Sequence, residues 1–264
     1  MDILITHARC MDGLGAAWVA KKRFPNIEIY FSLHDQPPSP NFNGKNILIT
    51  DFSYKRPVLL ELKEKAKSLL VLDHHETAEK DLEGLDFCIF NKDKSGAGIT
   101  WDYFFPDNYR PWIIKYIEDS DLWKWSLPYS KEVRAYLESY PKTIDSLDKI
   151  MDDGLDSAIV GGSTILRFKE NIINEHIEGV PIEDFLGYEV PIINATVFQS
   201  EIGSILAINS PFSVSYYITK DGSYKYSLRS TPTGINVGEL AAKNGGGGNP
   251  RTAGITSKTP LHQI

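Results

Sequence analysis

The sequence predicts an α/β fold: an N-terminal, mainly parallel sheet flanked by helices, then a helical connector, then a smaller C-terminal α/β domain. Three observations carry this reading. Short apolar runs alternate with helical patterns through the first half of the chain. Helical patterns run from Trp101 to Trp125 and from Pro141 to about His176. After Gly187 the texture changes to short strands with a tight hairpin signal. Strands that alternate with helices imply right-handed βαβ units and hence parallel pairing.

The elements follow in order. Asp2–Thr6 is apolar and partly β-branched and reads as a buried strand. Gly13–Lys22 places small and apolar residues at helical spacing. Asn26–Phe31 and Asn46–Thr50 are the second and third strands. Arg56–Lys67 is helical, with Pro57 suited to a first turn. Ser68–Leu72 is the fourth strand, and Cys88 within Asp86–Phe90 reads as strand core. Trp101 to Trp125 is aromatic-rich and helical, and its tryptophans read as packing residues. Pro141 to His176 is one or two helices with a break expected near Gly161-Gly162. Val190–Asn194, Ser213–Thr219 and Tyr224–Arg229 are strands, the last two joined at Asp221-Gly222. Gly238–Lys243 is a short helix ahead of four glycines. The expected domains are 1–185, with 131–185 as the helical connector, and 188–264.

Composition bounds the function. The 264 residues are 42% hydrophobic and 24% charged, as in a globular protein able to bury its own core. Two cysteines, Cys10 and Cys88, exclude a disulfide framework. No run is long enough for a membrane span, and the N-terminus lacks the basic start and cleavage site of a signal peptide, so a cytoplasmic location is expected. Twenty-eight Lys and Arg against 35 Asp and Glu give a net charge of −7. That opposes tight binding of long duplex DNA, which needs many phosphate-neutralising cations. It permits a small phosphorylated substrate.

Ligands of open α/β sheets bind beyond the carboxyl ends of the strands, and acidic and imidazole residues fall at those ends. His7 follows the first strand, Asp51 the third, and Asp73-His74-His75 the fourth. Asp12 stands where a turn enters a helix between Met11 and Gly13. Asp119 lies in Glu118-Asp119-Ser120-Asp121. Each has a plainer reading: the histidines as caps of the next helix, Asp12 as a helix cap, Asp119 on a solvated helix face. Together they form a mixed imidazole and carboxylate set suited to Mn²⁺ or Mg²⁺. Two such ions about 3.5–4 Å apart clamp a phosphoryl group for in-line attack. A second cluster runs from Gly245 to Gly254. Its glycines Gly246, Gly247 and Gly248 allow close backbone approach, and Arg251 with Arg229 adds donors for phosphate. A flexible turn is the plainer reading there. His34, His176 and His262 lie away from acidic strand ends and are given no role.

Taken in order, these residues resemble the DHH-superfamily phosphoesterases that carry a C-terminal DHH-associated domain, across nearly the whole chain. Asp73-His74-His75 matches the name-giving motif, Asp51 after Ile-Leu-Ile-Thr the second motif, and Asp119 the fourth. Ser227–Ser230, Asn236–Ala241 and the glycine run resemble the associated domain's signature. The resemblance implies two divalent metals, usually Mn²⁺, with Mg²⁺ or another divalent ion as substitutes. It implies His7 on the first metal, Asp51 bridging both, and Asp12, His74 and Asp119 on the second. It implies Asp73 orienting a histidine and His75 at the scissile phosphate, so His75, Asp51 and Asp73 are the expected catalytic residues. Arg229, Gly246, Gly247, Gly248, Asn249 and Arg251 are the expected substrate-binding residues.

Two departures stand out. Cys10 occupies the place of the first motif's leading aspartate, as a thiolate ligand or as a gap filled by water. Asn249 stands where the associated domain commonly has histidine. The function implied is metal-dependent hydrolysis of phosphodiester or phosphomonoester bonds in a small nucleotide: a short oligonucleotide, a dinucleotide or a nucleoside bisphosphate. A pyrophosphatase or polyphosphatase, and a nucleotide-binding sensor with a degenerate metal site, are the alternatives. The expected partner is that nucleotide or a short single strand, with no membrane; a homodimer is allowed.

Overall fold

The computed structural model describes residues 1–33, 37–38 and 42–262. His34, Gln36, Ser39 and Pro40 lie outside the described residues. The chain divides into two compact units, Met1–Leu166 and Arg167–Ile264.

The first unit is built on β1 (Ile3–His7), β2 (Glu28–Ser32), β3 (Asn46–Thr50), β4 (Ser68–Asp73) and β5 (Cys88–Phe90), in the sheet order β2-β1-β3-β4-β5. All four pairings are parallel. A parallel sheet needs cover on both faces, so its strands read as continuous apolar runs. Alternate side chains go to opposite faces. Leu4, Leu48 and Leu72 pack with Ala17 and Ala20 of α1 (Met11–Arg23) and Ile99 of α4 (Gly96–Phe104). Ile3, Ile5, Ile47, Ile49 and Val71 pack with Leu59 and Leu62 of α2 (Arg56–Lys65). Between β4 and β5 lies a short helix, α3 (Glu76–Asp81).

The order 2-1-3-4-5 reverses direction between β1 and β3. Such a switch point opens a crevice at the carboxyl ends of its two strands. His7 ends β1 and Asp51 directly follows β3, so both stand at that crevice.

β5 corrects one expectation. Cys88 is half-buried and Ile89 exposed, because β5 is the sheet's edge strand rather than a core strand. Burial also pushes the Cys88 thiol up to about 11.

The helical region holds α5 (Trp112–Asp121), α6 (Ser130–Glu138) and α7 (Ile144–Ile177). The break in α7 falls at Gly154, at φ 83°, and not at Gly161-Gly162. Those two glycines serve packing instead. A Cβ at Gly161 would stand 2.6 Å from the Tyr136 ring, and one at Gly162 would overlap the Glu132 carbonyl of α6. Trp101 stacks on Trp18 at 6.5 Å and Trp112 meets Tyr116 edge-on at 6.2 Å, as packing residues should. Trp123 does not follow them, being 78% exposed.

The second unit carries a mixed sheet in the order β10-β11-β9-β8-β7-β6. Its strands are β6 (Ile182–Phe185), β7 (Tyr188–Asn194), β8 (Ser213–Ile218), β9 (Tyr224–Arg229), β10 (Gly247–Asn249) and β11 (Thr252–Ser257). Only β7 and β8 pair in parallel; the other pairings are antiparallel. Gly222 closes the β8–β9 hairpin at φ 78°, where glycine carries no steric penalty. Val214 and Leu228 face α9 (Val237–Lys243), and Ser213 and Arg229 face α8 (Gln199–Leu206). Among the described residues no helix is long and apolar enough to cross a membrane.

The Gly162 contact gives a direct check. Gly162→Ala forces α6 and α7 apart, and overpacking of this kind costs about 1–3 kcal/mol. Chemical denaturation should show a lower midpoint; an unchanged midpoint would show that the helices do not depend on this approach.

Candidate metal centre

The centre starts from three strand ends and two helix ends. Asp51 follows β3 at φ 49°, a left-handed conformation that is rare outside glycine. Its N–H still donates to the Leu72 carbonyl at 3.1 Å, so the chain keeps one more link to β4 while turning. Such strain costs of order 1–3 kcal/mol and persists only where the surroundings enforce it. The carboxylate is 2% exposed. One oxygen, Oδ1, lies 3.2 Å from His74 Nε2. The other, Oδ2, is buried with no hydrogen-bond partner among the described residues.

Glycines make the room around it. A Cβ at Gly13 would come 3.2 Å from Asp51 Oδ2, and one at Gly96 would stand 2.8 Å from the Asp51 Cα. Gly96 opens α4, whose first amides donate to Asp12: Gly96 N–H to Oδ2 at 2.6 Å and Ala97 N–H to Oδ1 at 2.9 Å. Asp12 is therefore a helix cap, but of α4 and not of its own helix. The positive end of α4 offsets part of its buried charge.

Among the described residues, three groups have ligating atoms mutually within 4.8 Å: His7, Cys10 and Asp51; Asp12, His74 and Asp121; and Asp51, Asp73, His74 and His75. His74 joins the sets, with Nε2 3.8 Å from Asp12 and 3.7 Å from Asp121. Of the expected metal residues, the structure thus brings His7, Cys10, Asp12, Asp51 and His74 together. It does not bring Asp119 with them. Asp119 accepts instead from Ser126 N–H and Oγ–H, Leu127 N–H and Ser130 Oγ–H. Burial pushes its carboxyl up, but those four donors outweigh burial and hold it below the ordinary carboxylate value.

Asp121 takes the place at the cluster. Two residues of helix turn a side chain by about 200°, to the opposite face. Periodicity does not separate the two, because both faces of α5 are buried there: Asp119 continues Ile113 and Tyr116, and Asp121 continues Ile114 and Ile117.

The electrostatics explain why a cation belongs here. Burial, then the charges of Asp12, Asp121 and Asp73, holds the Asp51 carboxyl well above the ordinary range. Burial, then Asp12, pushes Asp121 up to about 6. Burial, then Asp51, pushes the Cys10 thiol up to about 12. Among the described residues, the ion pairs of Asp12, Asp51, Asp73 and Asp121 come only from His74 and His75. Buried carboxylates without cationic partners neutralise by taking up protons, or bind a metal. The orphaned Asp51 Oδ2, the glycine-made space and the mixed N, O and S donors fit divalent ions.

Asp73 serves the neighbouring histidine. Its Oδ1 lies 2.7 Å from His75 Nδ1 and accepts from His74 N–H at 2.8 Å. A carboxylate on Nδ1 fixes the tautomer and ring orientation and leaves Nε2 as the working nitrogen. His75 occupies the N-cap position of α3, but its side chain makes no cap bond.

The expected substrate residues all lie in the second unit. Arg229 donates to Ser200 Oγ at 2.6 Å. The glycine run is not an open loop: Gly247–Asn249 pairs with β11 as an edge strand. Its glycines permit close packing, since a Cβ at Gly246 would meet the Gly254 carbonyl and one at Gly248 would meet Ala253. Asn249 Oδ1 accepts from Arg251 N–H at 3.0 Å and Thr252 N–H at 2.9 Å, closing the β10–β11 turn. Arg251 is exposed.

The comparisons agree with this picture. Uncharacterized protein R106 of Acanthamoeba polyphaga mimivirus is 31% identical, over 97% of this chain and 67% of its own length. The chain belongs to the family of that viral protein. No family model matches. Among solved structures, PggH of Vibrio cholerae, a pGpG-specific phosphodiesterase, has a TM-score of 0.57 at 16% identity over 97% of this chain and 93% of its own. An exopolyphosphatase-related protein of Bacteroides fragilis has a TM-score of 0.54 at 12% identity over 98% and 87%. RecJ of Thermus thermophilus, in complex with Mn²⁺, has a TM-score of 0.51 at 12% identity over 97% of this chain and 49% of its own. The chain is thus similar in fold to these DHH-superfamily phosphoesterases.

Two outcomes are expected. Asp121→Asn should weaken Mn²⁺ binding by at least about tenfold in titration calorimetry. Asp119→Asn should lower the melting temperature and change that affinity far less; the reverse ranking would return Asp119 to the cluster. The second outcome concerns pH. A carboxyl raised in the folded state contributes stability that is fully present below its unfolded value and is lost as pH rises through its folded value. The metal-free protein should therefore lose thermal stability as pH climbs from 3.8 through about 6, where Asp121 ionises. Saturating Mn²⁺ should remove that decline; a metal-free melting temperature that rises over this range would contradict the assignment.

Proposed function

We propose that the chain is a divalent-metal-dependent phosphoesterase that hydrolyses phosphodiester or phosphomonoester bonds of a small nucleotide. The observation that carries this reading is the buried Asp51 carboxylate, its Oδ2 unpartnered, standing among three further carboxylates at the sheet's switch point. His7, Cys10 and Asp51 would hold one ion. Asp12, His74 and Asp121, with Asp51 reaching His74, would hold the second. Bound there, the ions activate water and neutralise charge on the phosphoryl group.

The remaining roles belong to the chain. Asp73 holds His75 through Nδ1, so the half-buried imidazole presents Nε2 to a phosphate oxygen and stabilises charge as it develops. Asp12, fixed by the α4 amides, and Asp51, fixed by its turn, keep their oxygens in place without rearrangement. In the second unit, Arg229 and Arg251 supply charged donors for a substrate phosphate, and Gly246, Gly247, Gly248 and Asn249 shape the backbone beside them. Arg229 is half-buried, and desolvation lowers its pKa from the usual value. The net charge of −7 favours a short substrate over long duplex DNA.

The test uses metal-stripped protein with Mn²⁺, Mg²⁺ or Zn²⁺ restored in turn. The substrates are a linear dinucleotide, a cyclic dinucleotide, a short single strand, a nucleoside bisphosphate and pyrophosphate. Metal-restored turnover of a nucleotide is expected. Asp51→Asn should abolish it, and Asp73→Asn should lower it by about 10–100-fold, the usual cost of losing a group that orients a histidine. Wild-type turnover by Asp51→Asn, or silence with every metal, would overturn the reading. Orthophosphate from pyrophosphate alone would establish a pyrophosphatase instead.

A further inference from the structure

The segment from Leu122 to Tyr129 joins α5 to α6 and carries an arrangement that holding metal does not require. Three of its aromatic residues sit at positive φ: Trp123 at 55°, Trp125 at 51° and Tyr129 at 59°. Bulky L-residues rarely adopt this region, and such outliers cluster at functional sites. A set of hydrogen bonds holds the segment there. The Asp119 carboxylate takes the four donors of Ser126, Leu127 and Ser130. The Asp119 carbonyl accepts from Lys124 N–H at 2.9 Å and Trp125 N–H at 3.4 Å. Lys124 Nζ donates to the Asp93 carbonyl at 3.1 Å.

What this clamp presents is an open aromatic face. Trp123 is 78% exposed, yet its ring is braced edge-on by Trp125, with centroids 5.0 Å apart and planes at 76°. Folding gains little from a tryptophan left in water on a strained backbone. The position explains it. Trp123 follows Asp121 by two residues, so its Cα lies within about 7 Å of the Asp121 Cα. That spacing puts the Trp123 backbone within about a nucleoside's length of a phosphate held at Asp121, which is the distance a base stacked on this ring has to span.

We propose that Trp123, braced by Trp125, is the stacking platform for a nucleobase of the substrate. The substrate class is therefore a base-bearing nucleotide and not an inorganic phosphate chain, which has no face to stack. This rests on the phosphoesterase reading for where the phosphate lies. Every base has a π-face, so the platform grips without selecting sequence.

The test measures binding and turnover with the full chain. The binding probe is a phosphorothioate-linked dinucleotide with Mn²⁺, alongside the same compound lacking one base. The variants are Trp123→Gly, which accepts the positive φ and so keeps the loop, and Trp123→Phe, which keeps a ring. The wild type should prefer the base-bearing probe by about 5- to 150-fold, equivalent to the ~1–3 kcal/mol of one stacked base. Trp123→Gly should lose that preference, and Trp123→Phe should retain most of it. For a hydrolysable dinucleotide, Trp123→Gly should raise KM by a similar factor and leave kcat within about twofold.

Equal binding of both probes by the wild type would overturn the platform, as would unchanged dinucleotide affinity in Trp123→Gly. If that unchanged affinity came with a change in sedimentation mass, the ring would be a contact between copies of the chain, and the proposal would fail. Hydrolysis by Trp123→Gly at the wild-type KM would sink the platform and leave the phosphoesterase standing. Binding that depends on Trp123 without turnover in any metal would sink the phosphoesterase and leave the platform.

Discussion

Everything at this centre follows from the repulsion among three buried carboxylates and a half-buried fourth. Asp12, Asp51, Asp73 and Asp121 are drawn together at the carboxyl end of the first sheet, and a buried charge is tolerated only when something opposes it. The chain answers differently at each. The α4 amides take Asp12. His75 and a backbone amide take Asp73. Among the described residues, Asp51 and Asp121 form their ion pairs with the shared His74, Arg134 and His75 oppose the Asp121 charge from further off, and the raised pKa values record that burial and the neighbouring carboxylates outweigh them. The sheet order then matters, because the switch point between β1 and β3 gives the deficit an open crevice. The strain at Asp51 and the bare Cα positions of Gly13 and Gly96 are what it takes to place these oxygens so close together.

One helix end divides two tasks that look alike in sequence. Asp119 and Asp121 are both aspartates in the last turn of α5, two residues apart. Asp121 points into the cluster. Asp119 turns the other way and organises the following loop through its carboxylate and its carbonyl together. The metal-facing acid and the loop-clamping acid are thus mechanically coupled through one turn of backbone, and the aromatic segment is positioned relative to the carboxylates by a hydrogen-bonded clamp rather than by a flexible tether.

The fold class was legible because parallel strands must be apolar on both faces: Asn46–Thr50 and Ser68–Leu72 could hardly be anything else. The strand-end residues His7, Asp51 and Asp73-His74-His75 were legible for the same reason, since polar groups end a buried run only where something uses them. What escaped the sequence was set by tertiary contact. Gly161 and Gly162 look like a helix break, but the helix tolerates them and the neighbouring α6 needs them. Trp123 and Trp125 look like core because tryptophan usually is; their left-handed backbone is imposed by Asp119 and leaves no trace in composition. The glycine run looks like an open anion loop, and only its pairing register with β11 shows that the bare Cα atoms are needed for packing. The helices α3, α6 and α8 and the strand β6 are short and only partly apolar, so periodicity gives them little voice.

Cys10 alters the balance at the crevice. A carboxylate in its place would bring a fifth negative charge beside Asp51. A thiol pushed up to about 12 is neutral at ordinary pH, so the metal-free centre carries less repulsion than an aspartate at this position would give it. With Cys10 as a ligand of the proposed ion next to His7, the thiol would give up its proton on binding, as the raised carboxyl of Asp121 would in the other half. A sulfur ligand also moves preference towards softer ions. The two halves of the centre are therefore unequal by construction. The half around His74 is a hard site held by fixed oxygens. On the proposed assignment the half around Cys10 would be the softer one, and its occupancy the more sensitive to which metal is supplied.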